Sequence, residues 1–408
     1  MVSLRSQRVV FKDGVRPATV RCEDGVVVDI GGDSADHDFG ELVILPGLVD
    51  SHVHINEPGR TNWEGFTTAT RAARAGGATT IVDMPLNSVP PTTSVEALAA
   101  KRRAAGGQLS VDVAFWGGIV PGSAHEVPAL VDSGVCGFKV FLTDSGVPEF
   151  PQIDVATLRG LALDVPILVH AEADDLLGDP GPSYADYLAS RPPDAEAKAI
   201  REVADLDSPV HILHVSSADG VEAIATSPGV TGETCPHYLT FTDEDVTGVE
   251  FKCAPPIRGR EHREALWEAL VAGTLEMVVS DHSPGPPELK RGDFATSWGG
   301  ISSLQIRLPV VWTGAVQRQL DFTMLSKWLA FAPARLAGLD DRKGAIAVGR
   351  DADFVVFDPD GETVVRGQDL HHRHPLTPYE GMRLRGRVVD TIVGSPARIL
   401  SRNDRSHI

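Results

Sequence analysis

Cysteine is scarce in this 408-residue chain: Cys22, Cys136, Cys235 and Cys253 are the only four, and no two form a CxxC pair. So sparse a set excludes a disulfide scaffold and a paired-cysteine metal or redox motif. Positive charge is also short. Lys and Arg number 37 against 56 Asp and Glu, a net charge of −19. Such a surface repels phosphate backbones and anionic bilayers, so neither nucleic acid nor a membrane is expected as a partner. No apolar run reaches the roughly 18 residues of a membrane span. The opening stretch alternates like a strand and lacks the apolar block of a secretion signal. No strand is followed by a glycine-rich phosphate loop, and there is no internal repeat or low-complexity tract. What remains has ordinary globular proportions, 42% hydrophobic and 23% charged, and reads as a reduced cytoplasmic protein, an enzyme before anything else.

Residues 1–43 are short alternating stretches broken by Asp-Gly, and the segment from about 344 to 400 is similar. Both predict small antiparallel β-structure. Between them, residues 44–343, the pattern changes to short apolar runs alternating with helix-length amphipathic stretches. Eight runs stand out: 42–54, 78–84, 109–118, 135–143, 165–172, 208–216, 229–236 and 275–282. Helices are predicted over Trp63–Gly76, Val95–Ala105, Ala185–Ala204 and His262–Ala272. Eight apolar strands alternating with helices predict a parallel sheet covered on both faces, an α/β fold. The length suits a (β/α)₈ barrel, with a doubly wound open sheet as the alternative. Residues 180–194 read as a loop and short polar helix, 284–300 as a long loop after the eighth strand, and 401–408 as a tail.

The chemistry-bearing residues fall at the ends of these strands. His52 and His54 end the first, Lys139 lies near the end of the fourth, His170 ends the fifth, His214 the sixth and Asp281 the eighth. In a barrel those ends converge on one mouth, where active sites lie. His52 and His54 are two apart on a strand, so they share a face and suit a divalent metal. A lone histidine after an apolar run is ordinarily a hydrogen-bonded core residue, but His170 and His214 occupy matching barrel positions, which favours ligation. His211, three residues from His214, has an odd offset and reads as structural. Asp281 could serve as ligand and proton carrier, or simply cap a helix. Lys139, flanked by apolar residues in GFKVFL, would in the plain reading pair with an acid.

The segment LPGLVDSHVHINEPGRTNWEGF, followed in order by GFKVFL, HAEAD, HILHVSS, ETCPHYLTF, KCAPPIR, SDHSP and KGAIAVGRDADFVVFD, resembles the cyclic amidohydrolases over nearly the whole chain. That group embraces dihydroorotases, hydantoinases, dihydropyrimidinases and allantoinases. HVHINEPGR, DMPLNSVPPTT, FLTDSGVPEFP, SDHSPGPPELK and WGGISSLQ most resemble the allantoinase branch. The resemblance implies a barrel with a small β-sandwich built from both chain ends, and often a homotetramer. It implies two divalent metals, Zn²⁺ before Co²⁺, Mn²⁺ or Fe²⁺. His52, His54 and Asp281 would bind one, His170 and His214 the other, and a carboxylated Lys139 (N6-carboxylysine) would bridge them. A hydroxide held between the metals would attack a ring amide, with Asp281 as the acid–base residue. The expected substrate is the small neutral ureide allantoin. Its contacts are expected from Asn56, Asn87, Ser283 and Trp298, each of which could instead be a turn, cap or packing residue.

Three positions depart from relatives. Asn56 stands where dihydroorotases carry a carboxylate-gripping Arg. Asp144 stands where hydantoinases and dihydropyrimidinases carry a Tyr, and Ala254 where many relatives have Ser. Another cyclic amidase, a hydantoinase, dihydropyrimidinase or dihydroorotase, is the first alternative. A non-catalytic scaffold relative is the second, and the presence of all six ligand-type residues speaks against it.

Overall fold

A computed structural model describes residues 1–32 and 34–404. The first strands are β1 (Val2–Phe11), β2 (Gly14–Glu23), β3 (Val26–Ile30), β4 (His37–Asp38) and β5 (Val43–Pro46). Those of the central region are β6 (Leu48–Val53), β7 (Ala78–Asp83), β8 (Asp112–Phe115), β9 (Gly117–Gly118), β10 (Phe138–Phe141), β11 (Ile167–His170), β12 (Val210–Ile212), β13 (Thr231–Thr234) and β14 (Met277–Val278). β15 (Phe354–Val364) and β16 (Arg383–Ile392) follow.

The two chain ends share one seven-stranded sheet, ordered β16-β15-β5-β1-β2-β3 with β4 beside β1. Glu23 pairs with Val26, so Asp24 and Gly25 form a two-residue hairpin loop. Both have positive φ, 50° and 79°, as the tight turn that matches strand twist demands. The sheet buries Leu4, Val9, Phe11, Val20, Val27, Ile44 and Phe354 in a core of its own.

Every one of the eight apolar runs contains a barrel strand. The first run, 42–54, is divided at Gly47, with β5 going to the terminal sheet and β6 opening the barrel. A Cβ at Gly47 would lie 2.2 Å from Thr79 Oγ1 and 2.8 Å from Asp353 Cβ, so only glycine fits this crossing. From β6 the strands run parallel: β6-β7-β8, then β9 through β14. β8 and β9 are two halves of one crossing interrupted at Trp116, whose N–H reaches Asp83 O at 3.0 Å while Cys136 N–H reaches Phe115 O at 2.9 Å. A parallel bridge between Val53 and His282 closes the circle. At that seam Asp50 takes a 3.2 Å ion pair from the buried Arg307.

The helix predicted at Val95–Ala105 has those bounds, with Ser94 Oγ accepting from Ala97 N–H at 3.2 Å. The first helix starts later than predicted, at Phe66, where the Glu57 carboxylate accepts the Phe66 N–H at 2.9 Å. The helix predicted over Ala185–Ala204 is two, Tyr184–Ala189 and Pro193–Val203. Pro192 and Pro193 remove two backbone donors and break it. The helix predicted over His262–Ala272 begins two residues earlier, running Arg260–Ala272, and stops at Gly273, left-handed at φ 85°.

Residues 284–300 form a loop with a single 3-10 turn, Pro287–Lys290. Phe294 ties it to the 180–194 segment: its N–H reaches Pro182 O at 3.1 Å and its ring lies 5.0 Å from that of Tyr184. Below the barrel, Lys343 Nζ sits among the carboxylates of Asp112, Asp353 and Asp351 at 2.6, 2.7 and 2.9 Å, joining the third barrel strand to the terminal sheet. Leu400 N–H donates to Val113 O at 2.8 Å, so the segment at Leu400 packs on the same strand. Of the predicted tail, 405–408 lie outside the described residues. Among the described residues no helix is long and apolar enough to cross a membrane.

Candidate functional site

His52 lies on β6 and His54 just beyond it, on the same face, with ring centroids 5.5 Å apart. Asp281, from the far side of the seam, brings Oδ1 to 3.1 Å from His52 Nε2 and 3.6 Å from His54 Nε2. One ligand atom from each of the three lies within 4.8 Å of the others. Hydrogen bonds set the tautomers. His52 Nδ1 donates to Glu233 Oε1 at 2.6 Å and His54 Nδ1 to Leu86 O at 3.1 Å. Both Nε2 lone pairs therefore face Asp281, as metal-binding imidazoles require. Burial first, and the Lys139 charge second, hold both rings neutral, His54 down to about 3.

The second pair mirrors the first. His170 Nε2 donates to Glu172 Oε2 at 2.6 Å, which leaves Nδ1 facing His214 Nε2 at 3.0 Å. Glu172 is gripped in turn by Arg191, Nε to Oε1 at 3.0 Å and Nη2 to Oε2 at 2.7 Å. Burial alone would raise the Glu172 carboxyl, but the Arg191 charge and the His170 bond hold it well below the usual range. His52 Nε2 and His214 Nδ1 are buried polar atoms with no hydrogen-bond partner among the described residues. Unpaired buried nitrogens are costly, and convergent neutral imidazoles with a carboxylate fit a borderline divalent cation.

Lys139 lies close to both pairs, and its charge acts on all four imidazoles. Its side chain is buried on β10, with Nζ 4.6 Å from the Phe141 ring centroid. No carboxylate lies within 4.0 Å of it among the described residues, so it does not make the ordinary pairing of a buried lysine with an acid. Burial pulls its pKa down to about 8, against the pull of the Asp281 and Glu233 charges. About a tenth is then uncharged amine at pH 7, far more than for an exposed lysine. His214 (φ 39°), Asp281 (φ 43°) and Asn56 (φ 64°) all sit in left-handed backbone, unusual for such residues and common at functional sites.

These groups floor a cavity of about 630 Å³. Asn87, Ser283 and Trp298 line it, together with Phe141, Thr143, Asp144, Arg191 and Lys252. Trp298 stands edge-on to Trp63 at 5.1 Å. Asn56 is placed differently from the sequence expectation. It is fully buried and absent from the cavity wall, its Oδ1 accepting from Asn87 Nδ2 at 3.1 Å and its Nδ2 reaching Pro284 O at 3.4 Å. Asn56 thus fixes the amide of Asn87, a residue of the cavity wall.

Glu172, Glu233 and Arg191 escaped the sequence reading. Glu172 had a signal, standing two residues after His170 at the end of the same strand. Glu233 and Arg191 had none, since their partners are 181 and 19 residues away. His211 is structural, as its offset suggested: its Nε2 lies 3.2 Å from the second oxygen of Glu233 and helps fix the carboxylate that holds His52.

The chain belongs to the amidohydrolase family, whose pattern matches residues 43–396. It is accordingly a hydrolase built on an α/β barrel. Among its relatives, an allantoinase of Streptomyces avermitilis is 47% identical, covering 95% of this chain and 93% of the relative. An allantoinase of Arabidopsis thaliana is 40% identical, covering 96% and 86%. That of Saccharomyces cerevisiae is 41% identical, covering 96% and 94%. Among solved structures, the L-hydantoinase (dihydropyrimidinase) of Arthrobacter aurescens superposes with a TM-score of 0.90 at 31% identity, covering 98% of each chain.

Proposed function

We propose that this enzyme hydrolyses the ring amide of allantoin to allantoate. The observation that carries the reading is the 40–47% identity, along nearly the full chain, to allantoinases of bacteria and a plant. The resident cofactor in this reading is a pair of divalent ions, Zn²⁺ first, held by His52, His54 and Asp281 on one side and His170 and His214 on the other. Lys139, carboxylated by CO₂, would supply the remaining oxygen donors. When bound, the ions would supply water acidic enough to ionise near neutral pH and would polarise the ring carbonyl.

The chain's own residues do the rest. Asp281, beside His52 and His54 on the cavity wall, is placed to accept a proton from the attacking water and hand it to the leaving ring nitrogen. Asn87, braced by Asn56, presents an amide that matches the donors and acceptor of a ureido group. Phe141 stacks on His170 at 4.6 Å and keeps water off that ligand. A homotetramer in the cytoplasm, consuming a product of purine breakdown, completes the reading.

The close superposition on a hydantoinase favours a second reading, a hydantoin- or dihydropyrimidine-opening enzyme. A substrate panel separates them. We expect kcat/KM for allantoin to exceed that for dihydroorotate, dihydrouracil and apolar 5-substituted hydantoins by at least about 10²-fold. That is the discrimination expected when unsuited substrates strand polar groups of the pocket. Equal turnover of a hydantoin or dihydrouracil would move the enzyme to the second branch.

A further inference from the structure

One cluster of ligand-type side chains is left over from the site described above. After β13 the chain places Cys235 and then His237, in the short helix Pro236–Thr240, behind Asp281. The Cys235 sulfur, a ring nitrogen of His237 and a carboxylate oxygen of Asp281 all lie within 4.8 Å of one another, and all three residues are buried. His237 is wholly inaccessible, and neither ring nitrogen has a hydrogen-bond partner among the described residues. Its ring centroid lies 4.3 Å from that of Tyr238. A core histidine normally satisfies at least one nitrogen. Here two go unsatisfied beside a thiol and a carboxylate.

We infer that Cys235, His237 and Asp281 form a third cation site, selective for a soft or borderline divalent ion, and that filling it inhibits the enzyme by engaging the Asp281 carboxylate. The donor set carries the selectivity. Sulfur and imidazole favour Zn²⁺ or Cd²⁺ and give Mg²⁺ or Mn²⁺ little to bind. Tetrahedral Zn²⁺ with bonds of about 2.1–2.3 Å holds its donors roughly 3.5 Å apart, so donors within 4.8 Å of one another need to close by no more than about 1.3 Å through side-chain rotation. On binding, the Cys235 S–H bond breaks, a sulfur–metal bond forms and the proton leaves to solvent. Thiolate and carboxylate then neutralise the dication, so no net charge is buried. Asp281 lines the cavity while Cys235 and His237 do not, so the ion reaches the site past the carboxylate it captures.

The binding half rests on this geometry alone. The inhibitory half rests on the reading of Asp281 as the proton carrier. The test titrates metal-replete enzyme with Cd²⁺ and follows three signals: the ultraviolet thiolate-to-cadmium absorption, total metal per chain after gel filtration, and amide hydrolysis. The histidine and aspartate ligands contain no sulfur, so the absorption reports only a cysteine site. We expect one extra Cd²⁺ per chain, a thiolate band growing with it, and inhibition in parallel, with no comparable effect of Mg²⁺. Cys235→Ala should retain basal activity, show no band, and need at least about ten-fold more Cd²⁺ for inhibition, the lower end of what losing even an indirect metal partner costs. If that variant folds poorly, Cys235→Ser keeps the volume and also removes the band. His237→Phe should weaken binding while leaving the thiol. A band that survives in Cys235→Ala, or total metal that stays constant as Cd²⁺ enters, would overturn the site. Binding at Cys235 without loss of turnover would overturn the inhibition and the role of Asp281, while the site itself would stand.

Discussion

Arg191 grips Glu172 through two hydrogen bonds, of 3.0 and 2.7 Å, and the same carboxylate takes a 2.6 Å bond from His170. The guanidinium thus acts on the candidate metal site through one intermediary. It keeps Glu172 ionised, Glu172 keeps the proton of His170 on Nε2, and Nδ1 stays free. Glu233 does the same for His52 from the opposite side, with His211 behind it.

Replacing Arg191 by Gln should therefore weaken metal binding without emptying the fold. Loss of such a supporting partner costs about 10–100-fold in metal affinity. Competition with a graded series of chelators measures it. Unchanged affinity in Arg191→Gln would reduce the Arg191–Glu172 pair to a packing role.

Lys139→Ala should lose both metal and activity, because the proposed bridge depends on its nitrogen. The bridging group is an oxygen-bearing carbamate, so a short carboxylic acid supplied with metal should restore part of the activity. Elemental analysis and rate measurements on the same samples decide it. A fully active Lys139→Ala protein holding two metals would end the carbamate proposal.

Asp281→Asn separates holding a metal from carrying a proton. The amide keeps an oxygen donor but offers no base. Metal content should persist while kcat falls by about 10²-fold or more, the usual weight of positioned acid–base catalysis. Near-normal turnover would remove Asp281 from proton transfer.

His372 predicts a pH dependence of stability. Burial first, and the neighbouring His282 second, push its pKa down to about 4. Its unfolded value is about 6.5, so between those values the unfolded chain binds the extra proton. Stability from this group is whole above pH 6.5 and falls as the pH drops toward 4, by about 1.4 kcal/mol per unit. In urea titrations of holoenzyme between pH 7.5 and 5, His372→Gln should lose about 2 kcal/mol less than the parent chain. Equal losses would mean that His372 is not held neutral in the fold.

Much of this molecule was legible in its sequence, because the signals are local. An apolar run of strand length reports a strand buried on both faces, and eight of them alternating with amphipathic stretches report a barrel. The strand-end positions of His52, Lys139, His170, His214 and Asp281 followed from the same pattern, since chemistry in a barrel gathers at one rim. The helix Val95–Ala105 has the bounds its amphipathic pattern predicts, and Ser94 and Gly106 cap it. Pro192 and Pro193 divide the next amphipathic run because neither offers a backbone donor.

Other features depended on pairings that no local pattern carries. The left-handed backbone at Asn56 turns its side chain down onto Asn87 and Pro284 instead of into the cavity, and Pro284 is 228 residues away. Glu233 meets His52 across 181 residues, and Lys343 meets Asp112 across 231. Composition and periodicity determined which segments become strands and which residues reach the rim. Closure of the barrel decided which buried donor faces which acceptor, because the cost of leaving a buried charge or nitrogen unpaired is felt only once the strands have come together.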